Sequence, residues 1–333
     1  MTNQDLLVDC IRHAVMAPSS HNTQPWIFTV RSGEIRIRPD FARALPVVDP
    51  DHHALFVSLG CALENLVVAA EHNGLDVTVS PFSDDAQGGC VRITLRRSDA
   101  DRDGPKAQAN ARLFKAIPER QSTRRTFDGR PLPEATCAAL QAIAEDCLVT
   151  TRMIVDREEV EAVADHVQAA CRSQWEDPAF VTELIEWIRF SRREADLRRD
   201  GLAAPVMGLP NVPRWLGQMV MRFAVKPGRE ATRTAAQVCS SSGVMIFSVT
   251  EDRPEAWVRA GRSFQRVALR ATDAGLKHAH SNMPCEVESA REGFRSAFAL
   301  KGRPVLLIRL GFAAAMPSSR RRALGEVVRF EHQ

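Results

Sequence analysis

Three short segments of the 333-residue chain concentrate side chains able to hold a ligand. The first, APSSHNTQPW at 17–26, crowds Ser19, Ser20, His21, Asn22, Thr23 and Gln24 between Pro18 and the Pro25-Trp26 pair. Such a run can close a helix-to-strand turn, since proline stops helices and short polar side chains satisfy loose backbone groups. It can equally aim several donors at one polar ligand. The second, IPERQSTRRTFDGRPLPEA at 117–135, interleaves Arg120 and Arg124 with Gln121 and Ser122. Guanidinium groups offer paired donors and keep their charge, so beside a hydroxyl they suit a phosphate or another anion, although a solvated basic loop has the same composition. The third, SSRRRALGEV at 318–327, sets Arg320, Arg321 and Arg322 beside two serines. Two such clusters can share one phosphate.

Other chemistry is thinly supplied. The chain has no tyrosine and no convincing Ser-His-Asp arrangement, so no catalytic side chain is assigned. His278 and His280 alternate without further ligands, and the eight cysteines are scattered without a zinc-like spacing. No metal is expected, and the thiols read as reduced and mostly buried. His52 and His53 in DPDHHALF read as a solvated helix start.

Helices and strands must position these segments. Leu6, Leu7, Cys10, Ile11, Ala14 and Val15 predict a helix over 4–16, closed by Pro18. WIFTV and IRIR, joined across Gly33, predict a hairpin, and VTVSPF and VRITL predict strands. Asp49-Pro50-Asp51 opens a long apolar-periodic helix over about 54–73. A second segment, 256–276, matches 54–75, and Gly261 minus Gly60 and Gly275 minus Gly74 both give 201. Two amphipathic helices can match by chance. The alternative is a pair of related halves facing each other across a pseudo-twofold axis, each giving one helix to a shared core. The polar stretch 98–108 would join them. An insertion at about 176–230 has no counterpart in the first half: its charged run WIRFSRREADLRRDG reads as a solvated helix, and LAAPVMGLPNVPRW, long for a connector, as a lid.

A chain 44% hydrophobic can bury a large core in one or two domains. Lys and Arg (44) barely exceed Asp and Glu (41), which gives no reason to expect nucleic acid as a partner. The first residues lack the pattern of a signal peptide, and no long uninterrupted apolar run occurs, so no membrane partner and a cytoplasmic location are expected.

Taken together, P-S-S-x-N-x-Q-P-W, R-x-S-x-R, the P-x-E of Pro284 to Glu286 and the late arginines resemble the FMN-dependent nitroreductase superfamily. In the usual member the R-x-S segment precedes the P-S-S-x-N loop, and both subunits of a homodimer hold each flavin. The order here is reversed, which resembles the tandem, Acg-like branch, where one chain imitates the dimer. The resemblance implies an α+β nitroreductase-like fold with halves at 1–100 and 108–333. It implies that Arg120, Gln121 and Ser122 meet the ribityl and phosphate part of FMN, with Arg124 near the N1/O2 edge of the ring. Pro18, Ser19, Ser20 and Asn22 would line the flavin from the other half. Pro284 and Glu286 would carry backbone along it, Arg320, Arg321 and Arg322 would close on the phosphate, and Met207 in the lid would pack on the ring. His52 and His53 stand where this branch would lead one to expect an arginine.

Only one such set can be assembled, because no R-x-S segment precedes residue 17 and no P-S-S-x-N loop occurs in the second half. One FMN per chain is expected, with NAD(P)H as reductant, a small conjugated or nitro-aromatic acceptor, and a monomer or weak homodimer. Two alternatives are a flavin-sequestering protein whose lid denies turnover and a dedicated biosynthetic dehydrogenase.

Overall fold

Gly60 and Gly261 sit where two long helices, His53–His72 and Pro254–Asp273, cross with their backbones in contact. A Cβ on Gly60 would lie 2.0 Å from the carbonyl oxygen of Val258, and one on Gly261 would lie 2.0 Å from that of Val57. The relation is reciprocal, since 258 minus 57 and 261 minus 60 are both 201. Only glycine allows such an approach, and the flanking side chains then pack around it: Leu59, Leu63, Leu66, Phe264, Val267 and Ala268 are fully or almost fully buried. Charge enters this core only when matched. Glu64 accepts from Arg262 at 2.8 Å and Arg266 at 3.0 Å, and Gln265 donates to Asn65 at 2.6 Å. The helix His53–His72 is long and apolar enough to cross a membrane, but it is buried from His53 to Ala70 as a core element.

The computed structural model describes residues 3–83, 89–98 and 104–331. Its strands are β1 (Trp26–Arg31), β2 (Glu34–Pro39), β3 (Leu75–Val79), β4 (Val91–Arg97), β5 (Val149–Ile154), β6 (Ile188–Arg189), β7 (Leu202–Ala203), β8 (Gly243–Val249), β9 (Lys277–His280), β10 (Arg303–Gly311) and β11 (Val328–Phe330). One sheet runs β11-β1-β2-β4-β3 and a second β5-β8-β10-β9, with the crossed helices packed between them in an α+β arrangement. All pairings in these two sheets are antiparallel except β1 with β11. Burial alternates along β2, as expected of a strand with one face on the core, whereas β8 is buried along its whole length. The C-terminal strand thus crosses onto the sheet built by the first hundred residues. Of the join expected at 98–108, residues 99–103 lie outside the described residues, and helix Pro105–Glu119 begins within the remainder.

The insertion departs from the single solvated helix expected of its charged run. That run breaks into the end of helix Pro178–Trp187, then β6, then the short helix Arg192–Arg198. Arg189 and Asp200 are buried and paired at 2.7 Å, and Arg43 from the first half joins Asp200. A local core of Phe180, Leu184, Ile185, Ile188 and Phe190 closes on Leu45 and Val48. The amides of Val47 and Val48 donate to Glu183 at 2.9 and 3.0 Å. The insertion is therefore fastened to the first half by a buried ion cluster and an apolar contact.

Gly60→Ala and Gly261→Ala should each destabilise the fold by roughly 1–3 kcal/mol, the usual cost of overpacking a core. Gly293→Ala, whose Cβ would meet nothing within 4 Å, should not. Urea unfolding of the three variants checks the difference.

Candidate functional site

The loop at 17–26 leaves the helix Asn3–Ala14 and enters β1 through three residues of left-handed conformation, His21 (φ 50°), Asn22 (φ 55°) and Gln24 (φ 54°). Non-glycine residues take this conformation at a cost, so surrounding contacts must fix it. The Asn22 amide donates to the carbonyls of Gly201 at 3.1 Å and Arg320 at 3.2 Å, and its oxygen accepts from Arg321 at 3.0 Å. Gln24 donates to the Arg199 carbonyl at 2.9 Å and accepts from the Arg322 amide at 2.8 Å. These side chains therefore knit the loop to the insertion and to the C-terminal segment. The Ser19 hydroxyl likewise accepts from the Gln24 amide at 2.9 Å.

Above the loop opens a cleft of about 430 Å³. It is walled by the first turns of helix His53–His72, by 117–124, by 280–286, by 317–321 and by the insertion. Pro18, Ser19, Ser20, Asn22, Arg120, Gln121, Ser122, Arg124, Glu286, Arg321 and Met207 all line it. Pro284 does not: it is buried behind the wall in the short helix Met283–Glu286. Nor do Arg320 and Arg322. Arg320 is exposed and pairs with Asp196 at 2.6 Å, while Arg322 contacts Asp40 at 3.5 Å and Glu326 at 3.4 Å. Of the three adjacent arginines, Arg321 alone faces the cleft.

The electrostatics centre on Arg120 and Arg321. Arg120 is buried, donates once, to the Met16 carbonyl at 3.3 Å, and leaves Nε and Nη1 without a protein partner. Arg321 donates to the carbonyls of Val15, Met16 and Ala17 at 2.9, 3.1 and 3.2 Å. Neither meets a carboxylate among the described residues. Burial lowers Arg120 to about 10, and burial together with the Arg120 charge lowers Arg321 to about 9, so both stay cationic at neutral pH. A buried guanidinium with free donors and no counter-charge is the setting an anionic oxygen would satisfy. On the same wall the Ser122 hydroxyl lies 3.2 Å from Nε2 of His278, which is buried behind it. Gln121, by contrast, holds the Met316 backbone with both ends of its amide, at 2.5 and 3.0 Å.

The opposite wall is apolar, formed by Trp175, Phe180, Leu184, Leu202, Val206 and Met207. His21 of the 17–26 loop lines the cleft too, as do residues not singled out from the sequence: Gln174, Met283, and the stripe Glu230, Arg233, Thr234, Gln237 on helix Pro227–Cys239. That stripe follows i, i+3, i+4, i+7 spacing, a signal present in the sequence. Glu286 accepts from Gln174 at 2.8 Å, and burial pushes its carboxyl up.

One histidine differs from expectation. His53 is not solvated: it is buried, with Nδ1 2.9 Å from both Asp49 and Asp51, while Arg303 pairs with Asp51 at 2.5 Å. Asp49 also caps the helix, accepting from the amides of Ala54 and Leu55 at 3.0 and 2.9 Å. The two carboxylates, an imidazolium and a guanidinium form one ionic cluster, whose guanidinium also pairs with Asp252 at 2.9 Å. His278 is buried and His280 half-buried, their ring centroids 6.0 Å apart and at right angles. Burial, and then the Arg120 charge, hold both neutral, His280 at about 3.

No family model matches the chain. A Mycobacterium tuberculosis protein named "Putative NAD(P)H nitroreductase" is 30% identical over 334 residues, covering 96% of this chain and 90% of that one. The one named "Putative NAD(P)H nitroreductase acg", from the same organism, is 23% identical over 339 residues, covering 98% and 96%. Among solved structures, the FMN and NADPH-dependent nitroreductase NfnB from sphigopyxis sp. strain HMH is 18% identical, covers 66% of this chain and 99% of that one, and superposes with a TM-score of 0.45. The chain belongs to the nitroreductase superfamily, within its Acg-like branch.

Burial opposes the charge on His53, but the hydrogen bonds and charges of Asp49 and Asp51 outweigh it and raise the imidazole from 6.5 to about 9. A folded-state value above the unfolded one gives stability that is whole below about pH 6.5 and lost as pH rises through about 9. The urea midpoint should therefore fall between about pH 7 and 10. His53→Gln should be less stable at pH 6.5, by roughly 3–5 kcal/mol if the buried cluster is left unbalanced, and should lose that pH dependence.

Proposed function

We propose that the chain binds one FMN in this cleft and acts as an NAD(P)H-dependent oxidoreductase on a small conjugated or nitro-aromatic acceptor. The observation that carries this reading is Arg120, whose Nε and Nη1 are buried, cationic and without a protein partner. A phosphate or ribityl oxygen fits those donors, with Ser122 and Arg321 alongside, and Arg124 suits the electron-rich N1/O2 edge of the ring. The wall from Trp175 to Met207 suits a flat ring system. FMN, when bound, supplies the redox chemistry, taking hydride from reduced nicotinamide and passing it to the acceptor at N5. The chain's part is to bind, orient and set the charge around the ring, which calls for no nucleophilic side chain. The reciprocal crossing at Gly60 and Gly261 supports the view that one chain stands in for a nitroreductase dimer, with halves at about 1–100 and 108–333.

A second reading, a sequestered flavin with little turnover, is favoured by the fastening of the insertion. The Gly201 amide donates to the Asn22 carbonyl at 3.2 Å while the Asn22 amide donates back at 3.1 Å, next to the buried Arg189–Asp200 pair. A wall held in this way would hinder nicotinamide from reaching the ring.

The purified protein should be yellow, with about one FMN per chain; two flavins, or none after reconstitution, would refute the assignment. Arg120→Ala should weaken FMN binding by roughly 1.5–3 kcal/mol, the worth of a charge-assisted hydrogen bond, and Arg320→Ala should leave it unchanged. Anaerobic bleaching by NADH or NADPH separates the two readings. Rapid bleaching supports the reductase, whereas slow bleaching that accelerates when 202–213 is shortened supports sequestration.

A further inference from the structure

We propose that His278 is a positioning residue that makes the Ser122 hydroxyl a hydrogen-bond donor toward an anionic oxygen in the cleft, a reading that rests on the FMN assignment and extends it. Ser122 and His278 are held together by their backbones as well as their side chains. They form a parallel bridge, and the Thr123 amide donates to the His278 carbonyl at 2.8 Å. This fixes the Ser122 hydroxyl 3.2 Å from Nε2 of a ring that is itself only 1% exposed.

The tautomer follows from what surrounds the other nitrogen. Nδ1 of His278 is buried and has no protein partner. A neutral imidazole carries one N–H, and an orphaned buried N–H is rarer and more costly than an unused acceptor. Burial, and then the Arg120 charge, keep the ring neutral, so one of its two nitrogens is bare. The proton therefore sits on Nε2 and is donated to the Ser122 oxygen.

A hydroxyl has one hydrogen and two lone pairs. With a lone pair engaged by His278, the Ser122 hydrogen is free to turn into the cleft, beside the unpartnered donors of Arg120. In the opposite tautomer the hydroxyl would donate to the imidazole and present only lone pairs, which repel an anion. The tautomer of a residue behind the wall thus decides whether the wall offers donors alone. Donors alone select a phosphate-like oxygen over a neutral hydroxyl or an amine.

Nitrogen-15 NMR of the His278 ring in flavin-free protein reads the tautomer without any ligand. The Nε2–H form is expected, and the Nδ1–H form or an imidazolium overturns the proposal. FMN titration of the apoprotein, followed by flavin fluorescence, tests the consequence. S122A and H278F should each weaken binding about tenfold, the double variant should be no weaker than either single one, and H278Q, whose amide nitrogen reaches the Nε2 position, should recover most of the affinity. Additive losses, or full affinity in H278F, would assign His278 a merely structural role and overturn the proposal. A wild-type chain that takes no FMN yet shows the Nε2–H tautomer would sink the flavin reading and leave the donor role of Ser122 standing.

Discussion

The contact of backbone with backbone at Gly60 and Gly261 is the constraint on which the rest of the structure depends. It sets the separation of the two central helices and so the separation of the two sheets packed on either side of them. The cleft lies beside that crossing. Its floor takes Ala54, Val57, Ser58 and Cys61 from one helix and Phe264 from the other. A side chain at either glycine would spread the helices and move the loop at 17–26 away from Arg120. Binding geometry is thus tied to core packing, and a change far from any ligand would be felt at the site.

The loop and the insertion are a second joint of the same kind. Asn22 and Gln24 use their side-chain amides on Gly201, Arg199, Arg320, Arg321 and the Arg322 backbone. The left-handed residues around them persist because those bonds hold them there. What remains for a ligand is the backbone of the loop, Ser20, His21 and the two cations it carries into place through the Met16 carbonyl. The loop thus builds a site mainly by holding its neighbours.

The helix crossing was legible in the sequence because close approach demands glycine, and two glycine pairs with one offset leave a trace that side chains do not blur. Arg120 was legible by type and context. Its free donors were not, since they depend on which carbonyls the fold brings near. Asn22 was legible as a polar loop residue, yet the direction of its amide is set by Gly201 and Arg320, partners remote in sequence. Arg320, Arg321 and Arg322 lie in an irregular segment where neighbouring side chains diverge, so no periodicity could select the one facing inward. Arg189 and Asp200 looked like part of a solvated run because composition does not reveal which charges find a buried partner. His53 was misread for the same reason, its carboxylates being adjacent but its burial tertiary.

Set side by side, the buried charges of this protein separate the scaffold from the site. Glu64 is held by two arginines, Asp200 by Arg189 and Arg43, and Asp49 by His53. Each of these carboxylates was given its counter-ions because an unpaired charge in the interior costs more than folding can tolerate. Arg120 and Arg321 break the pattern: they are two cations on one carbonyl, lowered in pKa by burial and, at Arg321, by the neighbouring charge, and no carboxylate was supplied. Elsewhere a buried charge without a counter-ion is met by backbone, Arg309 by the carbonyls of Gln237 and Arg125 and Glu183 by two amides, whereas Arg120 keeps two donors unmet beside an open cleft, a cost that an anionic ligand can remove. The affinity for that anion would draw on repulsion already present in the empty protein, so binding should also stabilise the fold.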